Sequence, residues 1–185
     1  MVAGPLVRDW NVIVTIYQQG FRRAINALQK IGPTDRTLYY NVLAMKVDEP
    51  MVALEAIERL TEERPALYDA IARVAPAAFT FEFESAERFR NGAESRLLGL
   101  LPKLAGRSFH VRVHRRGSKL DLRTPEAERL FNNFIVTETG RFGAAARITF
   151  AEPDAIIVID TVDDRAGIAM WTNEDLARHR LLRPD

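Results

Sequence analysis

The chain has 185 residues, 47% hydrophobic and 28% charged, a balance that suits one large domain or two small ones and excludes a disordered chain. It has no cysteine, which excludes disulfides and cysteine-based zinc sites and makes a reducing cytoplasm the expected location; no apolar run approaches the roughly 18 residues of a membrane span. The net charge is only +1, yet the stretch from Lys103 to Arg123 holds seven cations against one acid, Asp121, a local +6 that leaves −5 for the remainder.

Met1 to Trp10 carries Arg8 and Asp9 and lacks the apolar core of a secretory signal. Trp10 to Tyr17 is β-branched and aromatic and predicts a strand. Beyond Gly20, Phe21, Ala24, Ile25 and Leu28 fall at helical spacing, and Ile31-Gly32-Pro33 ends that helix. Leu38 to Val47 predicts a second strand. Pro50 suits the first turn of a helix whose apolar face holds Met51, Leu54 and Ile57. Pro65 breaks or restarts it, and Leu67, Ala70, Ile71 and Val74 continue the pattern. Ala78 to Glu84 alternates three phenylalanines with Thr80, Glu82 and Glu84, the pattern of a half-buried strand. The first 84 residues thus predict a ferredoxin-like α+β layer.

The remainder, residues 85–185, predicts a second domain. Phe89, Ala93, Leu97, Leu100 and Leu104 line one helix face, closed by Gly106. Phe109 to Arg115 alternates strictly, with Phe109, Val111 and Val113 on one side and His110, Arg112 and His114 on the other. Thr124-Pro125-Glu126 starts a helix whose buried stripe holds Ala127, Leu130, Phe131, Phe134 and Ile135. A loop from Gly140 to Gly143 leads to Ala146–Phe150. Glu152-Pro153-Asp154 makes a turn, Ala155 to Ile159 reads as a central strand, and Gly167 to Trp171 as the last one. Asn173 caps a short helix ending in Arg178, His179, Arg180 and Arg183. Near Ser85 there is no run of glycine, proline or serine, so the two halves are expected to pack together rather than hang on a tether.

The chemistry-bearing residues gather on the basic strand and the loop beyond it. Phosphate binding needs cations fixed on a rigid element, and arginine offers a planar donor fork. A-form RNA is read through shape, phosphates and 2′-hydroxyls, so a basic strand-loop is a sensible reader. The competing reading is a solvated, charged edge strand that blocks aggregation. The candidate RNA contacts are Arg107, His110, Arg112, His114, Arg115, Arg116, Lys119, Arg123 and Arg141. His110 and His114 would stand roughly 13 Å apart on a strand, too far for one metal ion, and read as polar surface groups near phosphates. Gly140-Arg141-Phe142-Gly143 fits a G-x-x-G loop, a form that can clamp nucleotides, and also a plain connecting loop. Asp160, Asp163 and Asp164 read as an acidic turn more readily than as a divalent-metal site. The phenylalanine row and Tyr39-Tyr40 read as core before base-stacking groups. No P-loop, dinucleotide fingerprint or G-x-S-x-G motif occurs.

The second half resembles a THUMP domain. The family's basic strand, of the form F-x-V-R-x-x-R-R-G, stands here as Phe109 to Gly117. Its E-R-like helix is Glu126-Ala127-Glu128-Arg129-Leu130. Its "nPd" turn is Glu152-Pro153-Asp154, with Glu152 where the family usually has Asn. The resemblance runs from about Ala86 to Trp171 and implies an α+β protein, a ferredoxin-like N-terminal unit packed on a THUMP-like α/β domain with a mixed sheet. It also implies that the two units grip the acceptor arm of tRNA. The chain stops at Asp185, and nothing after Trp171 is large enough for a catalytic domain, so a non-enzymatic protein without catalytic residues, metal or cofactor is expected. Stand-alone members resembling this arrangement present tRNA to a separate tRNA cytidine acetyltransferase, the partner the resemblance implies. The alternatives are a small RNA- or nucleotide-processing enzyme using Asp160, Asp163 and Asp164 or a histidine, and an interaction module whose ferredoxin-like sheet dimerises.

Overall fold

The computed structural model describes residues 7–117 and 121–185. Two compact units emerge: residues up to Ala78 together with Arg178–Arg183, and Phe79–Ala177 together with Pro184–Asp185.

The first unit contains β1 (Val12–Ile16), α1 (Phe21–Leu28), β2 (Thr34–Arg36), β3 (Val42–Met45), α2 (Pro50–Glu63), α3 (Pro65–Tyr68) and β4 (Ile71–Pro76). Its sheet runs β2-β3-β1-β4, antiparallel throughout, which is the ferredoxin-like arrangement. β1 is central, and its Val12, Ile13, Val14 and Ile16 are buried. Gly20, just before α1, lies so close to Ala70 that a Cβ there would come within 2.5 Å of the Ala70 Cβ.

Two predicted elements differ. The strand expected over Leu38–Val47 is cut to β3, because residues 38–41 form the turn of a hairpin: β2, which precedes that span, pairs with β3 from Thr34↔Met45 to Arg36↔Leu43, and Asn41 turns the chain at φ 62°. The helix expected to continue through Val74 stops at Tyr68, and Ile71–Pro76 pairs with β1 instead. Leu67, Ala70, Ile71 and Val74 match helical spacing, but a segment laid against the open edge of β1 gains a ladder of hydrogen bonds. Residues Arg178–Arg183 return to this unit. Val74 N–H donates to Leu181 O at 2.9 Å, and the Glu58 carboxylate meets His179 Nδ1 at 2.8 Å and Leu181 N–H at 3.1 Å.

The second unit contains β5 (Phe79–Glu82), α4 (Ala86–Leu97), a 3₁₀ turn, α5 (Leu101–Leu104), β6 (Ser108–His114), α6 (Thr124–Arg141), β7 (Arg147–Ile148), β8 (Ala155–Val162) and β9 (Arg165–Thr172), and runs on into α7 (Asn173–Arg178). The sheet order is β5-β9-β8-β6-β7. β6 is parallel to β7 and β8, the other pairings are antiparallel, and the sheet is therefore mixed. The strand read at Ala78–Glu84 is β5, paired with β9 of this unit. β8 is buried along its whole length, as its apolar run requires of a central strand.

One face of this sheet is covered by α4, α5 and α6. Phe83 meets Phe89 edge-on at 5.1 Å, and Phe89 meets Phe131 at 5.7 Å. The predicted stripe Phe89, Ala93, Leu97, Leu100 and Leu104 is buried throughout, and Gly106 closes it at φ +71°.

Candidate nucleic-acid interface

The basic strand β6 is held on two sides. β8 pairs with it along its length, whereas β7 covers only Ser108 and Phe109. Beyond β7, side chains of α6 take over. Asn132 Oδ1 accepts the Val111 N–H at 2.9 Å, and Glu128 Oε1 accepts the Val113 N–H at 3.0 Å. Four residues of helix rise about 6 Å and two residues of strand about 6.6 Å, so the i,i+4 pair on α6 matches the i,i+2 pair on β6. The amides that an edge strand would leave open are thereby satisfied.

Phe109, Val111 and Val113 enter the core, as the alternation predicts. The opposite face is less open than the sequence suggests. His110, read as a surface group, is only 3% exposed. Its Nδ1 lies 2.9 Å from Thr149 O, and its ring packs on Phe150 at 5.1 Å. Arg112 is half-buried: its Nε lies 2.9 Å from Asp185 Oδ1, without the angle of a hydrogen bond, and its guanidinium sits 5.9 Å from the Phe150 centroid. His114 Nε2 lies 2.8 Å from Pro184 O.

Past β6, the cations find internal partners. Arg115 donates from Nη1 to Leu122 O. Arg116 Nη1 meets Asp160 Oδ1 at 2.9 Å, with side chains only 16% and 5% exposed. The Arg116 N–H also donates to Thr161 O, and its carbonyl accepts from Asp163 N–H. Asp160 therefore faces a guanidinium, while Asp163 and Asp164 form the β8–β9 turn, with Asp163 at φ 55°. Among the described residues no group of three or more His, Cys, Asp or Glu is placed to hold a metal ion. Arg123 is 83% exposed, and its guanidinium pairs with Glu126, which also accepts the Arg123 N–H at 3.2 Å. That pairing raises the Arg123 pKa and holds the Glu126 carboxyl below its usual range. Thr124 and Pro125 lie inside the first turn of α6, and Arg123, not Thr124, takes the cap position. Lys119 lies outside the described residues.

The other end of β6 is more open. Arg107 and Lys103 are exposed, and neither side chain has a hydrogen-bond or ion-pair partner among the described residues. Arg147 is also exposed. Its N–H donates to Arg107 O at 2.8 Å and its Nη1 to Gly106 O at 3.1 Å, so the start of β7 is bonded to the turn that leads into β6, and Arg107 and Arg147 adjoin through their backbones. Asp154, from the Glu152-Pro153-Asp154 turn, accepts the Ser108 N–H at 2.8 Å and hydroxyl at 2.9 Å, and its own N–H donates back at 2.9 Å. These bonds, helped by the charges of Arg107 and Arg147, hold its carboxyl below the usual range. Glu152 adopts φ 47°, a conformation that asparagine tolerates better, which accounts physically for the Asn usual there in THUMP sequences.

The Gly140–Gly143 segment is the end of α6 rather than a free loop. Gly140 and Arg141 are helical, Phe142 N–H bonds Thr139 O, and Gly143 takes φ +80° as a helix terminator. Buried Thr139 accepts the Ala146 N–H at 2.8 Å and so fixes the path into β7. Arg141 is 70% exposed and pairs with Glu138 at 2.7 Å.

The structure thus brings Arg107 and Arg147 together and separates them from Arg115 and Arg116, whose guanidiniums turn to internal acceptors. Two exposed aromatics, Phe142 and Phe150, flank β7, and sequence reasoning alone misses them. Their position beside arginines is the signal that could have found them. Of the aromatics weighed as stacking groups, Phe81 and Phe83 are core, whereas Phe79 and Tyr40 are exposed.

No protein-family model matches the chain, and no curated protein matches it. Solved structures do. PH1313 from Pyrococcus horikoshii superposes with a TM-score of 0.62 at 15% identity, over 86% of this chain and 53% of that one. A 4-thiouridine synthetase–RNA complex with bound ATP gives 0.55 at 14%, over 88% and 41%. A predicted N6-adenine-specific DNA methylase from Listeria monocytogenes gives 0.51 at 16%, over 87% and 40%. The chain spans about half the length of these proteins or less. Its fold, α+β with two sheets of which one is mixed, resembles that of THUMP-domain proteins.

These likenesses correct one expectation. The lack of room for a catalytic domain after Trp171 predicts a non-enzymatic protein. Two of these three structures are named as enzymes, and the part of each that this chain matches is about two fifths of the whole. The fold is therefore one that enzymes carry, and the residues following Trp171 are no ground for denying catalysis. Among the described residues no helix is long and apolar enough to cross a membrane.

Proposed function

We propose that this chain is the tRNA-binding part of a tRNA-modifying system, gripping the acceptor arm so that the nucleotide to be modified reaches a catalytic centre. The observation that carries this reading is the pair Arg107 and Arg147, both exposed, adjoining through a backbone hydrogen bond where β7 meets the turn before β6, with no hydrogen bond or ion pair to the Arg107 side chain among the described residues. Two exposed guanidiniums on adjoining backbone suit phosphates of an A-form backbone. Arg141, Arg112 and Arg123 extend the contact by exchanging their acidic neighbours for phosphate, and Lys119, outside the described residues, is a further candidate cation. Arg115, Arg116, His110 and His114 act from beneath, fixing the strand and loop that carry the outer cations. The 4-thiouridine synthetase complex, which shares the fold and contains RNA, supports the reading. The separate cytidine acetyltransferase implied by the THUMP resemblance is one activity such a grip would serve, and a thiolating or methyl-transferring unit is another.

Competition tests it. Labelled tRNA bound to the protein should be displaced by an acceptor-arm minihelix at concentrations comparable to whole tRNA. An anticodon stem-loop of equal length and a DNA duplex should compete far less well. Equal competition by all of them would contradict the acceptor-arm assignment.

A further inference from the structure

We infer that Phe150 is a stacking platform for one unpaired base of the bound RNA. This rests on the RNA-binding reading above and adds a residue that the charge pattern alone does not identify. Phe150 follows β7 and is 63% exposed although it is a large apolar ring. Its position is fixed from below. The His110 ring lies 5.1 Å away at an interplanar angle of 33°, and His110 is itself buried and held through Nδ1 to Thr149 O. The Arg112 guanidinium stands 5.9 Å from the ring centroid. The imidazole and the guanidinium thus cover part of the phenyl ring, and the larger part of the residue stays exposed.

The surroundings decide what fits. Parallel pairing sets Arg147 opposite Ser108, on the side of the sheet that His110 and Arg112 share by alternation. A flat apolar surface bordered by arginines suits a nucleobase, whose backbone phosphate requires a cation nearby and whose face requires an aromatic partner. A base still paired within a duplex offers no free face, so the ligand class is an unpaired nucleotide adjoining a double-stranded arm.

The experiment uses the full chain and two RNA hairpins with the same stem, one blunt and one with a four-nucleotide 3′ single strand carrying 2-aminopurine. Stacking on an aromatic side chain should favour the overhang hairpin on the order of tenfold. 2-Aminopurine fluorescence should fall on binding. Phe150→Ala should abolish the preference and the quenching while leaving the blunt hairpin's affinity unchanged, and Phe150→Trp should keep both. Wild-type protein that binds both hairpins equally, or a preference that survives Phe150→Ala, overturns the platform and leaves the phosphate grip standing. Equal weakening of both hairpins by Phe150→Ala assigns the ring a purely structural role and also overturns it. Failure of the wild type to bind either hairpin refutes the RNA-binding reading itself.

Discussion

Asn132 Oδ1 accepts the backbone N–H of Val111 at 2.9 Å, and both groups are buried. This bond replaces the ladder partner that β7, only two residues long, fails to supply. Asn132→Ala leaves a buried amide without a partner, which costs about 1–3 kcal/mol. Urea unfolding should show that loss, and the Val111 amide should lose protection against hydrogen exchange selectively. A variant as stable as wild type would mean that water or a neighbour replaces the amide oxygen.

The Arg116–Asp160 pair predicts a larger effect. Removing the guanidinium takes a charge partner from a carboxylate that is 5% exposed. Arg116→Met should therefore destabilise the second unit by about 3 kcal/mol, as removal of one partner of a buried pair does. Arg116→Met combined with Asp160→Leu should recover most of it. A single variant with unchanged thermal stability would show that the pair is solvated.

Glu152 at φ 47° predicts a gain. A left-handed conformation costs an ordinary L-residue about 1 kcal/mol, and asparagine and glycine less. Glu152→Asn and Glu152→Gly should both raise the urea midpoint, the former without altering RNA affinity. A loss of stability in both would require an interaction of the Glu152 side chain that outweighs the backbone strain.

Asp154 predicts a pH dependence. Its folded pKa is depressed below 3.8, chiefly by the Ser108 N–H and hydroxyl. A depressed carboxylate contributes stability above its unfolded pKa and loses it as pH falls through the folded one. Asp154→Ala should thus be less stable than wild type at pH 7, and the difference should shrink below pH 3.8. A difference constant from pH 7 to pH 2 would contradict the assignment.

Much of the fold is legible in the chain. The alternation over Phe109–His114, the stripe of α6 and the all-apolar β8 follow from single-element periodicity, which needs no knowledge of partners. The β2–β3 hairpin is not legible, because Thr34–Arg36 is too short and polar to signal a strand and Asn41 supplies the turn alone. Nor is β4, since its apolar positions satisfy two periodicities and only the open edge of β1 chooses between them. For the site, the cations are legible but their availability is not. Arg116 is neutralised by Asp160, 44 positions away, and Arg112 by Asp185. A window from Lys103 to Arg123 counts charges and cannot see such partners. Arg107 and Arg147 stand together only because β7 adds to β6 in parallel, a pairing of two residues that leaves almost no trace in sequence.

The central claim is that Arg107 and Arg147 bind the phosphates of tRNA. The most direct measurement is the salt dependence of tRNA affinity for wild type, Arg107→Ala, Arg147→Ala and the double variant. Removing one arginine–phosphate interaction should lower the slope of log K against log salt by about one. The account predicts a double variant with weaker binding and a slope smaller by about two, at unchanged thermal stability. A double variant with wild-type affinity and wild-type slope would contradict it.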